Sequence, residues 1–168
     1  MFTRFTNIAI FFIIASVFFV VGCGGANVPK DFPKTMPYTI TVVDGGKPIE
    51  GVIVRLSTTT SPNWTASGVT NASGVAELQT ISGSYSRKGA PEGSYKVVMV
   101  KPLEVDPALL GPVPEDLPGQ VVYNAKLKEL QSKMTPEVPL VYSLDDTTPV
   151  SIEIAKGKKQ ETIDVGKQ

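Results

Sequence analysis

Short runs of β-branched and alternating residues, separated by glycine and proline clusters, dominate this chain after its first 36 residues. Thr39-Ile40-Thr41-Val42-Val43 reads as a strand. Asp44-Gly45-Gly46-Lys47-Pro48 reads as a turn in which the glycines supply positive φ. In the run 51–56, Val52, Val54 and Leu56 share one face while Arg55 and Ser57 share the other, the pattern of a half-buried strand. The polar stretch 57–63 is predicted to be a loop ending near Trp64. Asn71-Ala72-Ser73-Gly74 is a turn signal, and the runs 67–70 and 75–79 on either side of it are predicted to form a hairpin. Gly89-Ala90-Pro91-Glu92-Gly93 feeds a strand over 94–100, with Tyr95, Val97 and Met99 assigned to the core and Lys96, Val98 and Val100 to the other face. Val150-Ser151-Ile152-Glu153-Ile154 alternates, Lys156-Gly157-Lys158-Lys159 turns, and Thr162-Ile163-Asp164-Val165 is the last strand.

One region breaks the pattern. Residues 102–119 are proline-rich and cannot form a central strand. Residues 120–134 carry good helix formers, with Val122, Ala125, Leu130 and Met134 near helical spacing, and Thr135-Pro136 ends the run. Residues 102–136 are therefore read as an insertion carrying one short helix that lies on the domain. Seven short strands with Gly/Pro turns predict an all-β fold, an antiparallel β-sandwich. Its core is expected to contain Val54, Leu56, Tyr95, Val97, Ile152 and Ile154.

The N-terminus follows a different logic. Arg4 precedes a nearly unbroken apolar run over 8–21. That run is shorter than the roughly 20 residues a membrane-spanning helix requires and has the form of a secretory signal. Val20-Val21-Gly22-Cys23 resembles a bacterial lipobox. The resemblance implies acylation of the Cys23 thiol and cleavage between Gly22 and Cys23. A transmembrane anchor and ordinary signal cleavage are the alternatives; Val20 stands where ordinary cleavage favours a small residue. The expected organisation is a signal peptide over 1–22, a flexible Gly/Pro-containing tether over 23–36, and one domain over 37–168. Gly24, rather than an aspartate, follows the cysteine, which favours the outer membrane over the inner. One acyl chain holds a protein to a bilayer only marginally, so several chains on Cys23 are needed for stable attachment.

Charge and composition narrow the chemistry. Sixteen Lys and Arg balance 16 Asp and Glu, so nothing argues for a nucleic-acid partner. The chain has no histidine, which removes Ser-His-Asp and Cys-His mechanisms and the commonest metal ligand. Its single cysteine allows no internal disulfide, so the domain is held by packing alone.

Four motifs in order carry a family resemblance: the segment 44–52 around Asp44-Gly45-Gly46-Lys47-Pro48; Thr70-Asn71-Ala72-Ser73-Gly74; the segment 89–97 around Pro91-Glu92-Gly93-Ser94-Tyr95; and the segment 142–154 around Asp145-Asp146-Thr147-Thr148-Pro149. Together, over 38–165, they resemble the carboxypeptidase regulatory-like domain, a transthyretin-like fold, in the version found in small secreted lipoproteins abundant in Planctomycetes. The resemblance implies a seven-stranded Greek-key β-sandwich (transthyretin-like, Ig-like) at a cell envelope, with no defined activity. The metallocarboxypeptidase domain that such modules accompany is not present. The hydroxyisourate hydrolases of related fold depend on histidines that this chain lacks, so fold analogy supplies no hydrolase.

Several residues invite chemical readings. Asp145 and Asp146, with Asp44 or Glu153, could gather oxygens around Ca²⁺, but their spacing fits no EF-hand loop, and acidic residues before Thr-Thr-Pro commonly initiate a turn. Trp64, Tyr85 and Tyr95 could stack on sugar rings, although Tyr95 alternates with core positions. Asn63-Trp64-Thr65 and Asn71-Ala72-Ser73 match the glycosylation pattern, which means little in a bacterial lipoprotein. Lys126, Lys128 and Lys133 near Glu129 read as a solvated helix face. The expectation is a lipid-anchored, non-enzymatic structural or protein-interaction module. It has no cofactor, metal or catalytic residue, and its partners are membrane lipid through Cys23 and an envelope protein or polysaccharide. A polysaccharide-binding module is the alternative; a His-independent hydrolase using Asp145 or Asp146 is a remote one.

Overall fold

In the computed structural model, residues 29–60 and 63–166 are described. Cys23 and Gly22, the positions expected for acylation and cleavage, lie outside them. Among the described residues no helix is long and apolar enough to cross a membrane.

The domain is mostly β. Its strands are β1 (Thr35–Met36), β2 (Thr39–Asp44), β3 (Lys47–Pro48), β4 (Ile53–Ser57), β5 (Thr65–Val69), β6 (Val75–Glu77), β7 (Gln79–Ser82), β8 (Tyr85–Lys88), β9 (Ala90–Pro91), β10 (Gly93–Val100), β11 (Ser151–Ile154) and β12 (Gln160–Asp164). Two short helices, α1 (Pro107–Leu110) and α2 (Leu117–Ser132), and a 3₁₀ turn over Leu140–Ser143 separate β10 from β11. A six-stranded sheet runs β11-β10-β4-β5-β7-β8, and a second sheet runs β12-β2-β3 with β6 also on β2. β1 pairs with β9 apart from both. All pairings are antiparallel except β12 with β2, which is parallel. The described residues thus form twelve strands, several only two residues long, where seven antiparallel strands were expected.

The period-two pattern sets the core. Ile40 and Val42 of the second sheet and Val54, Leu56, Tyr95, Val97, Met99, Ile152 and Ile154 of the first belong to one buried cluster. All six residues expected in the core are there. The buried Thr70 and Thr148 hydroxyls are satisfied. The Thr70 hydroxyl donates to the Ile49 carbonyl at 2.7 Å and accepts from the Val52 N–H, and the Thr148 hydroxyl donates to the Val97 carbonyl at 2.7 Å. Val98 keeps the expected register, on the face opposite Val97, but is buried there too, at 3% exposure. The 3₁₀ turn lies against β10 and sends Tyr142 into the core.

Three further expectations change. The runs flanking Asn71–Gly74 do not pair as a hairpin. β5 joins the six-stranded sheet while β6 pairs with β2, so the turn carries the chain between sheets, with only a Thr70–Ala76 bridge between its arms. Its local chemistry is as read: the Asn71 side chain accepts from the Ser73 and Val75 N–H groups, and Gly74 has φ of 73°. The tether is docked over its last part. Phe32 meets Tyr85 edge to face at 4.6 Å, Arg87 lies 5.5 Å from the Phe32 ring, and Thr35–Met36 pairs with Ala90–Pro91. Finally, the inserted helix begins three residues earlier than the expected Gln120, capped by Asp116, whose carboxylate accepts from the Gly119 N–H at 2.8 Å. None of its residues is buried, so it does not lay an apolar face on the sheets. It leans on its own insertion, where the Gln131 amide donates to the Leu103 carbonyl.

Candidate functional site

Each sheet ends in a strand paired on one side only among the described residues: β11, on β10, and β12, on β2. The turn 155–159 joins them, closed by a Lys158 N–H bond to the Ala155 carbonyl, with Gly157 at φ of 97°. The outward backbone groups follow from the ladders. Val97 donates to the Val150 carbonyl, so positions 150, 152 and 154 face β10, and Ser151 and Glu153 direct their N–H and C=O away from it. On β12, Thr39 donates to the Lys159 carbonyl and Val165 to the Val43 carbonyl, so odd positions face β2. Gln160 and Thr162 therefore present their backbone groups outward.

Between these edges lies a groove of about 720 Å³. Tyr142, Val150, Ile152 and Ile163 give it an apolar floor. Among the described residues its charged lining is Glu153, Glu161, Asp164 and Lys158, with Lys158 ion-paired to Glu161. That pairing raises the Lys158 pKa above the ordinary lysine value against an opposing desolvation, with smaller contributions from Tyr38, Glu161 and Glu153. The Asp164 carboxylate is anchored by the N–H groups of Gly45, at 2.9 Å, and Gly166, at 3.1 Å. The groove offers hydrogen-bonding backbone, apolar contact and charged side chains.

The residues singled out for other chemistry are placed elsewhere. Asp145 is bonded through both oxygens, to Arg55 and to Ser57. Among the described residues no three carboxylates stand close enough to hold a metal ion, so Asp145, Asp146, Asp44 and Glu153 do not assemble into the calcium arrangement considered for them. Trp64 does share a small polar pocket of about 210 Å³ with Arg55, Ser57 and Asp145. Its ring, however, packs on the core and meets Tyr95 edge to face at 6.3 Å. Tyr95 is itself buried, its hydroxyl donating to the Pro91 carbonyl at 3.0 Å, and Tyr85 is engaged by Phe32 and Arg87. The three aromatics form no common platform. Lys133 pairs with Glu129 on the exposed helix, which lowers the Glu129 pKa.

Sequence reasoning passed over Ser151, Gln160, Thr162, Lys158 and Glu161. Their side chains carry no motif; what distinguishes them is lying on a sheet edge, and that depends on strand order. The chain matches no known family model, no curated protein sequence and no solved structure.

Proposed function

We propose that this chain is a lipid-anchored, non-enzymatic module of the cell envelope that docks another protein in the groove between β11 and β12. The fold is read as a Greek-key sandwich of the carboxypeptidase regulatory-like, transthyretin-like kind. The lipobox-like Val20-Val21-Gly22-Cys23 supports the anchor, with the outer membrane as the favoured location. The observation that carries the docking reading is the pair of unpaired edges flanking an apolar groove. Unpaired edges are a liability that soluble domains blunt or cover, and a partner is one way of covering them.

The anchor is tested by metabolic labelling with a fatty-acid probe. The wild-type protein should be labelled and Cys23→Ser should not; a labelled Cys23→Ser protein removes the anchor from the reading. Docking is tested by placing a photo-cross-linking residue at Thr162 or, as a control, at Lys126 on α2, in intact cells. A discrete adduct from Thr162 alone is the expected result. An adduct from Lys126 alone moves docking to the insertion, and none from either site contradicts it.

A further inference from the structure

We infer that the small pocket between the end of β4, the start of β5 and Asp145 binds one neutral sugar ring, free or as the terminal residue of a glycan. This site is separate from the groove between β11 and β12 and does not depend on the docking reading. Its paired charges, its size and its one aromatic side chain converge on that ligand.

Charge comes first. Arg55 and Asp145 are the charged residues of the lining, and they are paired with each other at 2.9 Å. The pair leaves no net charge in the lining to select an anion or a cation. It does leave bonding capacity. A guanidinium carries several N–H donors in a planar fork, and a carboxylate about four acceptor sites. Arg55 spends one donor on Asp145, and Asp145 accepts once from Arg55 and once from the Ser57 hydroxyl. A neutral ligand with neighbouring hydroxyl groups uses both partners at once, donating to the carboxylate and accepting from the guanidinium.

Size and shape come next. The pocket holds about 210 Å³, below the roughly 300–1,000 Å³ of sites for drug-sized molecules, so it accommodates one ring and not a stretch of polymer. Part of its wall is tied together in advance: the Thr58 and Thr60 hydroxyls lie 2.9 Å apart, and the Thr60 N–H donates to Thr58 Oγ1 at 3.1 Å. Trp64 supplies the aromatic surface. Its ring packs on the core and on Tyr95, while the residue stays partly exposed. An indole held in this way offers a rigid apolar contact to the C–H groups of a sugar ring, at little further cost in entropy. Leu56, the other large apolar residue of the lining, is buried, so a ligand without hydroxyl groups finds little to hold it.

Trp64 is the only tryptophan in the chain, so its fluorescence reports on the site directly. The test titrates the full mature protein with methyl glycosides of neutral hexoses and N-acetylhexosamines, a hexuronic acid and a hexose phosphate. In parallel the protein is screened on an array of immobilised oligosaccharides. A neutral methyl glycoside should shift the Trp64 emission saturably at millimolar concentration, and the two acidic sugars should not. Retention on oligosaccharides that end in the same sugar would identify a glycan end as the source. Binding of the free glycoside alone would identify a free sugar.

Asp145→Asn should weaken that binding about tenfold, the effect of losing one hydrogen bond to a charged group, while melting within a few degrees of wild type. Arg55→Lys should weaken it as well, because an ammonium lacks the planar fork. Lys126→Ala, on α2, should bind as wild type. The inference is overturned if no neutral sugar changes the emission and none is retained on the array. It is overturned equally if the acidic sugars bind as well as the neutral ones, or if Asp145→Asn and Arg55→Lys bind as tightly as wild type. Saturating sugar should leave the Thr162 cross-link unchanged, so this site and the docking groove stand or fall separately.

Discussion

Asp145 reaches across 90 positions of sequence to Arg55, its Oδ1 accepting from Nη2 at 2.9 Å, while its Oδ2 accepts from the Ser57 hydroxyl at 2.8 Å. The contact clasps the chain returning from the insertion onto the outer face of β4. Both ionic side chains are nearly half exposed, 46% and 47%, so water and salt screen the pair. Such pairs contribute about 0–1 kcal/mol. Asp145→Ala is therefore expected to lower stability by up to about 1 kcal/mol, and Asp145→Asn by less, because the amide oxygen still accepts one bond. Both oxygens being engaged, added Ca²⁺ or EDTA should leave the melting temperature unchanged. A shift of several degrees with Ca²⁺ would mean that the carboxylate is released to bind it.

β10 sets a sharper test of packing. Val97 is fully buried between the sheets, and an unpaired carboxylate there costs several kcal/mol against a typical total of about 5–15. Val97→Asp should unfold the domain. Lys96 is exposed and donates only a 3.3 Å bond to the Thr148 carbonyl, so Lys96→Asp should cost about 1 kcal/mol or less. Val98→Asp separates the structure from simple alternation. With Val98 facing solvent it would be as mild as Lys96→Asp; buried as it is, it should destabilise by more than about 2 kcal/mol. Chemical denaturation of the three variants orders them.

That Val98 had to be learned from the structure illustrates what periodicity carries. Alternation fixes which residues of a strand share a face, and so Val54, Leu56, Tyr95, Val97, Ile152 and Ile154 were legible as core. It does not fix what lies over the other face. Turn chemistry was legible at Asn71 and Gly74, because an Asx side chain and a positive φ are local needs. Whether the arms of that turn pair in one sheet is a long-range choice, settled by β6 finding β2. The β7–β8 hairpin went unread because its turn is only Gly83-Ser84, between runs that do not alternate strongly. The groove was illegible for the same reason as the sheet order: strand edges exist only once every neighbour is known.

Gly89 lies directly against the N-terminal strand at Met36. Its φ is +93°, and a Cβ built there would stand 2.0 Å from the Met36 carbonyl oxygen. Its own N–H and carbonyl are tied to the Leu78 carbonyl and the Thr80 hydroxyl at 2.6 and 2.7 Å, so neither partner can move aside freely. Gly89→Ala should cost about 3 kcal/mol or more, or strip β1 from β9. Gly83→Ala is the control: its φ is +57° with nothing within 4 Å, so only the left-handed conformation penalises it, by about 1–2 kcal/mol. Equal losses in urea denaturation would show that the contact with Met36 contributes nothing.

Tyr38 lies 2% exposed, and its hydroxyl makes no well-formed hydrogen bond; the Lys158 ammonium beside it offers only a weak contact and its charge. A buried hydroxyl left unpaired costs about 1–3 kcal/mol, so Tyr38→Phe should leave stability unchanged or raise it by up to about 2 kcal/mol at neutral pH. Burial also pushes the phenol pKa above its ordinary value of 10.0, with Lys158 only partly offsetting this. The direction of the pH effect follows. Below pH 10 both folded and unfolded phenols are protonated, and the contribution to stability is fully present. As pH rises past 10 the unfolded phenol ionises first, the folded state binds more protons, and stability falls until the folded pKa is passed. Tyr95, also raised by burial, leaves a residual fall of the same sign. Denaturation curves between pH 8 and about 11 should therefore show a shallower alkaline decline in Tyr38→Phe than in the wild type. Identical declines would mean that Tyr38 ionises as readily in the folded protein as in the unfolded chain, and that its hydroxyl is not held away from water.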